Sequence, residues 1–589
     1  LQNGEGESMN YCKNPVHFIQ TEQKSAWNGY AAICEELSEK AKKHLQNHSA
    51  CVMAVDTYPG VDEQELKAGL ESLKPALWIC MEDVFCSKEE YQQRIALFMT
   101  DDRVFGRMYF GGLEDFWDRK KREAVQKRAE HANGLVVVFG FGAASLMEAD
   151  LLVYADLARW EIQQRMRQGA GNYHTDNSEE DILRKYKQGY FLEWRMADRH
   201  KRKLFEKIDY LLDTNRKRHP VMITGDCFRT GLKELCIKPF RTVPYFDPGV
   251  WGGQWMKKVC GLDPKKSNFA WAFDGVPEEN SLYFQVEDLL VEVPAMDLVL
   301  YRPRELLGPE TYARFGAEFP IRFDFLDTME GQNLSLQVHP SMDYIYQNFG
   351  MSYTQDESYY ILDAQENACV YLGIRDQTDP EQMIEDLKKA QRAEGTFNAE
   401  EYVNKIPARR HDHFLIPAGT VHCSGRGCMV LEISATPYIF TFKLWDWGRL
   451  GLDGRPRPIH IDHGKQVIDW SRRTQWVMDN LVNRFSVLQK SQSFTEEKTG
   501  LHELEFIETR RIEIRESCCI DPHNTVNMLN LVDGEAAWVE SPDGRFEPYQ
   551  VHYAETFIVP AAAGPYSIRP AGKGPVTLIR AFVRGTQDG

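Results

Sequence analysis

Asn333-Leu-Ser-Leu-Gln-Val-His-Pro340 decides how the rest of the chain is read, together with Gln355-Asp-Glu-Ser-Tyr-Tyr-Ile-Leu362 and His413-Phe-Leu-Ile-Pro-Ala-Gly-Thr-Val-His422. In the first stretch apolar and polar residues alternate, so on a strand Gln337 and His339 point to one face. The second stretch puts Glu357 at the entrance to a Tyr-Tyr-Ile-Leu strand, and the third runs through a Pro-Ala-Gly turn to His422. Two imidazoles, one carboxylate and one amide oxygen form a mixed N/O set that suits a borderline divalent ion such as zinc and leaves coordination positions for a substrate. The bland alternative for His339 and His422 is a pair of satisfied core histidines, but both stand at strand ends beside Pro or Gly turns. The reading requires all four side chains to meet in a cavity open on one side.

These stretches occur in a fixed order with Leu431-Glu-Ile433 and Trp445-Asp-Trp-Gly-Arg449. In that order they resemble the type I mannose-6-phosphate isomerases, zinc enzymes of the cupin superfamily, from about Trp251 to the end of the chain. The resemblance implies two cupin jelly-roll β-barrels with a helical insertion. It implies one Zn2+ per chain held by Gln337, His339, Glu357 and His422. It also implies catalytic roles for Glu432 as base or hydrogen-bonding partner, for Arg449 at an oxyanion or phosphate, and for Lys443 at the phosphate. The activity implied interconverts mannose 6-phosphate and fructose 6-phosphate through an enediol. Such chemistry needs a Lewis acid or donors for two oxygens, a base near carbon, and positive charge for the phosphate.

One position departs from the pattern. The family carries Gly-Lys shortly before the metal-binding glutamate, with the lysine reaching substrate, whereas this chain has Thr354-Gln355. The loss motivates two alternatives: a regulatory protein that binds a sugar phosphate without turnover, or an isomerase for another phosphosugar. Of the His411-Asp412-His413 group, Asp412 matches the acid at a strand start in the family, and the flanking histidines read as surface residues.

At 589 residues the chain holds several domains. Residues 1–245 read as an α/β domain with a mostly parallel sheet, because short apolar runs at Cys51–Val55, Ala76–Cys80, Leu135–Phe139 and Leu151–Ala155 alternate with helical stretches. Its order is similar to nucleoside-kinase-type P-loop folds, yet no Gly-x-x-x-x-Gly-Lys-Ser/Thr loop occurs, so the domain reads as a degenerate, kinase-like module. Gly140-Phe-Gly142-Ala-Ala-Ser145 mimics a dinucleotide loop, and its plain reading is a structural turn, so no nucleotide cofactor is expected. Residues 246–375 and 406–500 form the metal-binding cupin, with strands at Ser281–Gln285, Asp297–Tyr301 and Ile321–Phe325. Residues 376–405 are a helical insertion with Met383, Leu387 and Ala390 on one side. Residues 501–589 form a cupin without metal ligands, in which His523 and His552 stand alone.

A net charge of -17 opposes binding to nucleic acid or an anionic membrane. The basic run Arg195-Met-Ala-Asp-Arg-His-Lys-Arg-Lys203 reads as a solvated helix face. The longest apolar stretch, near Gly134–Met147, is too short for a membrane span. The polar start of the chain shows no signal peptide, and thirteen cysteines, an odd count, fit reduced buried thiols. The expectation is a cytoplasmic protein acting on a small sugar phosphate, without nucleic-acid or membrane partners and with room for a homodimer.

Overall fold

The computed structural model describes residues 10–435, 440–452, 454, 457–500, 502 and 504–585. The polar start of the chain and Leu501, where the tail was placed, lie outside the described residues. Two compact units result: one holds residues 16–234 and 281–301, the other 1–15, 235–280 and 302–589. The segment 281–301, assigned to the barrel from sequence, thus falls in the α/β unit.

In the α/β unit a seven-stranded sheet runs in the order Ala26–Asn28, Val221–Thr224, Tyr210–Asp213, Leu151–Asp156, Ala50–Thr57, Gly134–Gly140, Leu77–Cys80. The last five are mutually parallel, as their nearly unbroken apolar runs require of strands covered on both faces. The helix Gly29–Leu45 lays Ile33, Cys34, Leu37 and Ala41, an i, i+4, i+8 stripe, into the interior.

Two expectations fail in this unit. Asp297–Tyr301 is helical, within Met296–Tyr301. Leu298, Val299 and Leu300 are all buried, and an apolar run buried on every side carries no period to separate helix from strand. The basic run is not a solvated face either. In the helix Trp194–Lys201 the side chains of Arg195, Asp198, His200 and Lys201 are all buried. They are paired there: His200 Nε2 lies 2.7 Å from Asp56 Oδ2, and the Lys201 ammonium sits between Asp156 and Asp297. Charges leave water only when partnered, and the partners, Asp56 and Asp156 on strands and Asp297 on a helix, stand far away in sequence.

The other unit contains two tandem jelly rolls. The first is built from β1 (Arg322–Asp327), β2 (Leu336–Val338), β3 (Glu357–Ala364), β4 (Cys369–Ile374), β5 (Val403–Pro407), β6 (His413–Ile416), β7 (His422–Ser424) and β8 (Cys428–Ser434). One sheet runs β6-β3-β8-β1, extended by Trp271–Gly275 and Tyr245–Asp247; the other runs β5-β4-β7-β2, extended by Phe442–Trp445. The second comprises β9 (Ile507–Ile514), β10 (Cys518–Ile520), β11 (Asn527–Asp533), β12 (Ala536–Glu540), β13 (Tyr549–His552), β14 (Thr556–Val559), β15 (Tyr566–Pro570) and β16 (Val576–Val583). Its sheets run β9-β16-β11-β14 and β10-β15-β12-β13. Counted from its first strand, each roll has the same eight-strand order, the double Greek key of a jelly roll. The second is filled by an apolar core that includes Ile512, Leu529, Leu531, Phe557, Tyr566 and Leu578.

Between β4 and β5 the chain forms the helices Pro380–Gln391 and Ala399–Tyr402, with Met383 and Leu387 buried. Asp379 caps the first, its carboxylate accepting from Gln382 N. All thirteen cysteines are free thiols. Among the described residues no helix is long and apolar enough to cross a membrane.

Candidate metal centre

The centre straddles both sheets of the first jelly roll. β2 lies between β7 and Phe442–Trp445, so that Gln337 stands opposite His422 on one side and Lys443 on the other. Opposed residues of antiparallel strands share a face, which puts Gln337, His422 and Lys443 on the face that also carries His339. Glu357 comes from the facing sheet, as the first residue of β3, paired with Ile416 and Ser434.

Across the gap, Glu357 Oε2 lies 3.1 Å from His339 Nε2 and Oε1 lies 2.8 Å from His422 Nε2. Gln337 Nε2 is 3.2 Å from His422 Nε2. Each imidazole is anchored from behind: His339 Nδ1 lies 2.8 Å from the Phe440 carbonyl, and His422 Nδ1 lies 2.8 Å from that of Thr420. Carbonyls only accept, so each Nδ1 carries a hydrogen, and each Nε2 is left facing the carboxylate, the nitrogen that a metal-ligating histidine offers once it has lost its proton.

These ligand atoms form the one group of three or more His, Cys, Asp or Glu among the described residues that can hold a metal ion. His339 Nε2 and Glu357 Oε1 are buried without a well-formed hydrogen bond, although buried polar atoms are otherwise paired almost without exception. Burial would raise the Glu357 pKa, but the two imidazoles outweigh it and hold the carboxyl well below its ordinary range. Burial would likewise lower His339, and Glu357 outweighs that and raises it. A buried anion demands a cation here, and the donor set fits a divalent ion.

Glu432 on β8 faces the same interior, opposite Asp324 of β1 and Tyr359 of β3. Burial drives the Glu432 carboxyl well above its ordinary range, and Asp324 and Glu357 add to the rise. Asp324 is pushed up to about 6, by burial first. Asp324 escaped the sequence reading, as did Arg322, two residues earlier on the same strand face, although the alternation in Ile321-Arg-Phe-Asp-Phe carries the signal. Asp356 and Glu505 were also missed: with Glu357 and Phe506 they line a small cavity. Glu505 comes from a segment about 150 residues downstream, and no local pattern announces it.

Arg449 is engaged in a different way from the expectation. Its Nη2 donates to Asp446 Oδ1 at 2.6 Å and its Nη1 to the Asn333 carbonyl at 2.7 Å. Asp446 also accepts from Ser335 Oγ and pairs with Arg457 at 3.1 Å. This knot staples the Trp445-Asp-Trp-Gly turn to the entry of β2. Lys443 is half-buried beside Gln337.

Two further expectations need correction. The side chains of His339, Glu357 and His422 have no solvent exposure, so the site is enclosed rather than open on one side. The Phe440 backbone closes it behind His339, and Glu505 and Phe506 stand beside Glu357. His413 is no surface residue: it lies on β6, fully buried, its pKa lowered to about 3 by burial, with Arg511 adding. His523 is exposed, and His552 Nδ1 lies 3.3 Å from Glu555 Oε2.

In the α/β unit, Gly140 and Gly142 take positive φ before the short helix Ala143–Leu146, and the N–H groups of Gly142 and Ala144 converge as an anion-binding turn does. The anion is internal. Asp56 accepts from Gly142 N at 3.2 Å and from Ala144 N at 2.8 Å, with His200 behind it.

Fold and site together define a class: a protein with two tandem jelly rolls and a His-Glu-His group that can hold a metal in the first. Comparison with known proteins makes this more specific. The chain is 28% identical over 223 residues to the mannose-6-phosphate isomerase of Streptococcus mutans and 28% identical over 237 residues to the probable mannose-6-phosphate isomerase GmuF of Bacillus subtilis. These matches cover 37% and 39% of this chain, and 64% and 68% of the relatives. The chain therefore spans just under two thirds of the length of the first. The solved mannose 6-phosphate isomerase of Bacillus subtilis aligns with a TM-score of 0.48 at 18% identity, over 58% of this chain and 99% of that one. Residues 29–236 match a family described as a domain of unknown function, DUF8485. The chain is thus similar, over little more than a third of its length, to proteins named mannose-6-phosphate isomerase.

Proposed function

We propose that the protein is a metal-dependent aldose-ketose isomerase that interconverts mannose 6-phosphate and fructose 6-phosphate, with zinc as its metal. The observation that carries this is the convergence of His339, Glu357 and His422 from two sheets within reach of one ion, with Gln337 beside His422. A zinc ion held there supplies Lewis-acid polarisation of the sugar oxygens. The chain's own residues do the rest. Glu432 and Asp324, two buried carboxyls side by side, share a proton that one of them can hold while the other is ionised. On this reading the pair takes the proton from the carbon next to the carbonyl, leaving an enediolate, and returns it to the former carbonyl carbon, while the hydroxyl proton passes from the oxygen that becomes the new carbonyl to the other oxygen. Lys443 meets the phosphate, and Arg449, tied to Asp446, fixes the turn at the entry of β2. Turnover requires the enclosing Phe440 and Glu505–Phe506 segments to part.

A second reading has support from that enclosure and from the uncharged Gln355: a protein that keeps the metal and binds a sugar phosphate without converting it. Metal analysis combined with a coupled assay against hexose and pentose phosphates separates the two. Stoichiometric zinc with turnover of mannose 6-phosphate supports the isomerase; stoichiometric zinc with no conversion of any sugar refutes it.

The same proposal takes residues 1–245, with 281–301 added to them, as a kinase-like module that has lost its nucleotide, beside a metal-binding cupin at 246–280, 302–375 and 406–500, the 376–405 insertion and a metal-free cupin at 501–589. What supports the first part is a parallel sheet whose five strands, counted along the chain from Ala50–Thr57, stand in the spatial order 2-3-1-4-5, and an anion turn filled by Asp56. The proposal also places the protein in the cytoplasm, with a homodimer to be tested by light scattering.

A further inference from the structure

The tetrapeptide Thr354-Gln355-Asp356-Glu357 touches every segment that carries a metal ligand. Thr354 Oγ1 donates to the Pro340 carbonyl, next to His339. Asp356 Oδ1 accepts from Ala418 N, in the turn that leads to His422. Gln355 does most. Its Nε2 donates to Glu357 Oε2 at 2.8 Å, and its Oε1 accepts from Phe440 N at 3.1 Å. The Phe440 carbonyl in turn receives His339 Nδ1–H, and His339 Nε2 faces Glu357. The ring closes: Glu357, Gln355, the Phe440 peptide, His339 and back to Glu357.

The amide orientation is fixed by its partners. A carboxylate only accepts and a backbone N–H only donates, so one end of the side chain must be a donor and the other an acceptor. Gln355 is 4% exposed, and a polar end left unpaired in that setting is destabilising. Lysine, the residue in this place in the resembling family, has donors alone. In this chain it would leave Phe440 N without its acceptor.

We propose that Gln355 is a positioning residue for the metal, holding Glu357 directly and His339 through the Phe440 peptide. The inference rests on the metal-site reading above. The test measures the zinc Kd of the full-length chain by competition with a chromogenic chelator, for the wild type, Gln355→Leu and Gln355→Lys, alongside thermal unfolding of the metal-free proteins and the visible absorption of the cobalt-loaded forms.

The expected result is a zinc Kd about 10- to 100-fold higher in both variants, the effect of losing an outer partner of a ligand, with altered cobalt bands. A residue that merely packed would lower the metal-free melting temperature and leave Kd and the cobalt bands unchanged. If Gln355→Leu does not fold, Gln355→Lys decides, since it keeps a donor to Glu357. A variant that binds zinc within about threefold of the wild type overturns the role of Gln355, against the effect expected of an outer partner. A wild type that takes up no zinc overturns the metal site itself.

Discussion

On the proposed metal-site reading, removing the metal is the perturbation that reaches furthest into this structure. With the ion chelated, Glu357 keeps two imidazoles and Gln355 for partners, so the jelly roll stays folded, and re-added zinc binds the native state alone. At free zinc about 1,000-fold above Kd that linkage contributes about 4.1 kcal/mol. For a folding unit of roughly 150–250 residues, about 2–4 °C per kcal/mol makes this a rise of about 8–16 °C in melting temperature. The gain has a definite pH dependence. In the metal-free protein His339 has a raised pKa because of Glu357, so the stability from this pair is fully present below the unfolded pKa of about 6.5 and is lost as pH rises through the folded value. Zinc must displace that proton. Its contribution therefore grows with pH across this window, by up to about 1.4 kcal/mol per pH unit for each proton displaced. Thermal unfolding with chelator and with excess zinc, from about pH 5.5 to 8 across the ordinary histidine pKa, checks both. Identical melting curves with and without zinc refute the reasoning, and a gain that does not change with pH refutes the role given to His339.

Other outcomes follow from single side chains. His413, buried with its pKa lowered to about 3, must be charged when the chain unfolds in acid. Its contribution is present above the unfolded pKa and lost as pH falls below it, costing on the order of 2 kcal/mol by pH 5, so His413→Leu should flatten the acid limb of a pH–stability curve. Asp56→Asn breaks a buried pair with His200 and should destabilise the α/β unit by about 3–5 kcal/mol in denaturant titrations. With Asp56 in place, millimolar ATP or NAD should leave the melting of this unit unchanged. Lys443→Met should raise KM for mannose 6-phosphate more than it lowers kcat, whereas Arg449→Met should lower stability by about 1.5–3 kcal/mol through the charged hydrogen bonds to Asp446, read by chemical unfolding beside steady-state kinetics.

Local pattern made much of the molecule legible. Period-two alternation put Gln337 and His339 on one face, apolar runs marked the parallel strands, and the helical period between Thr378 and Lys405 marked the insertion. These signals are short-range, and burial on one face or both writes them directly into the order of residues. Charged residues were misread for the converse reason. Arg195–Lys203 has the composition of a wet helix, and what draws Lys201 indoors is Asp156 and Asp297, which stand 45 positions before it and 96 after it.

The sequence by itself determined the two sheet-forming patterns, the candidate metal-binding side chains that converge, His339, Glu357 and His422, and the strand faces on which they stand, since these depend on residue type and on a period of two. Only the tertiary structure decided that Asp324 and Glu432 lie side by side, that Gln355 bridges Glu357 and Phe440, that Arg449 is tied to Asp446, and that the site is enclosed. Each of these depends on the register between strands far apart in the chain, which is set by the packing of whole sheets and leaves no mark on any one stretch of residues.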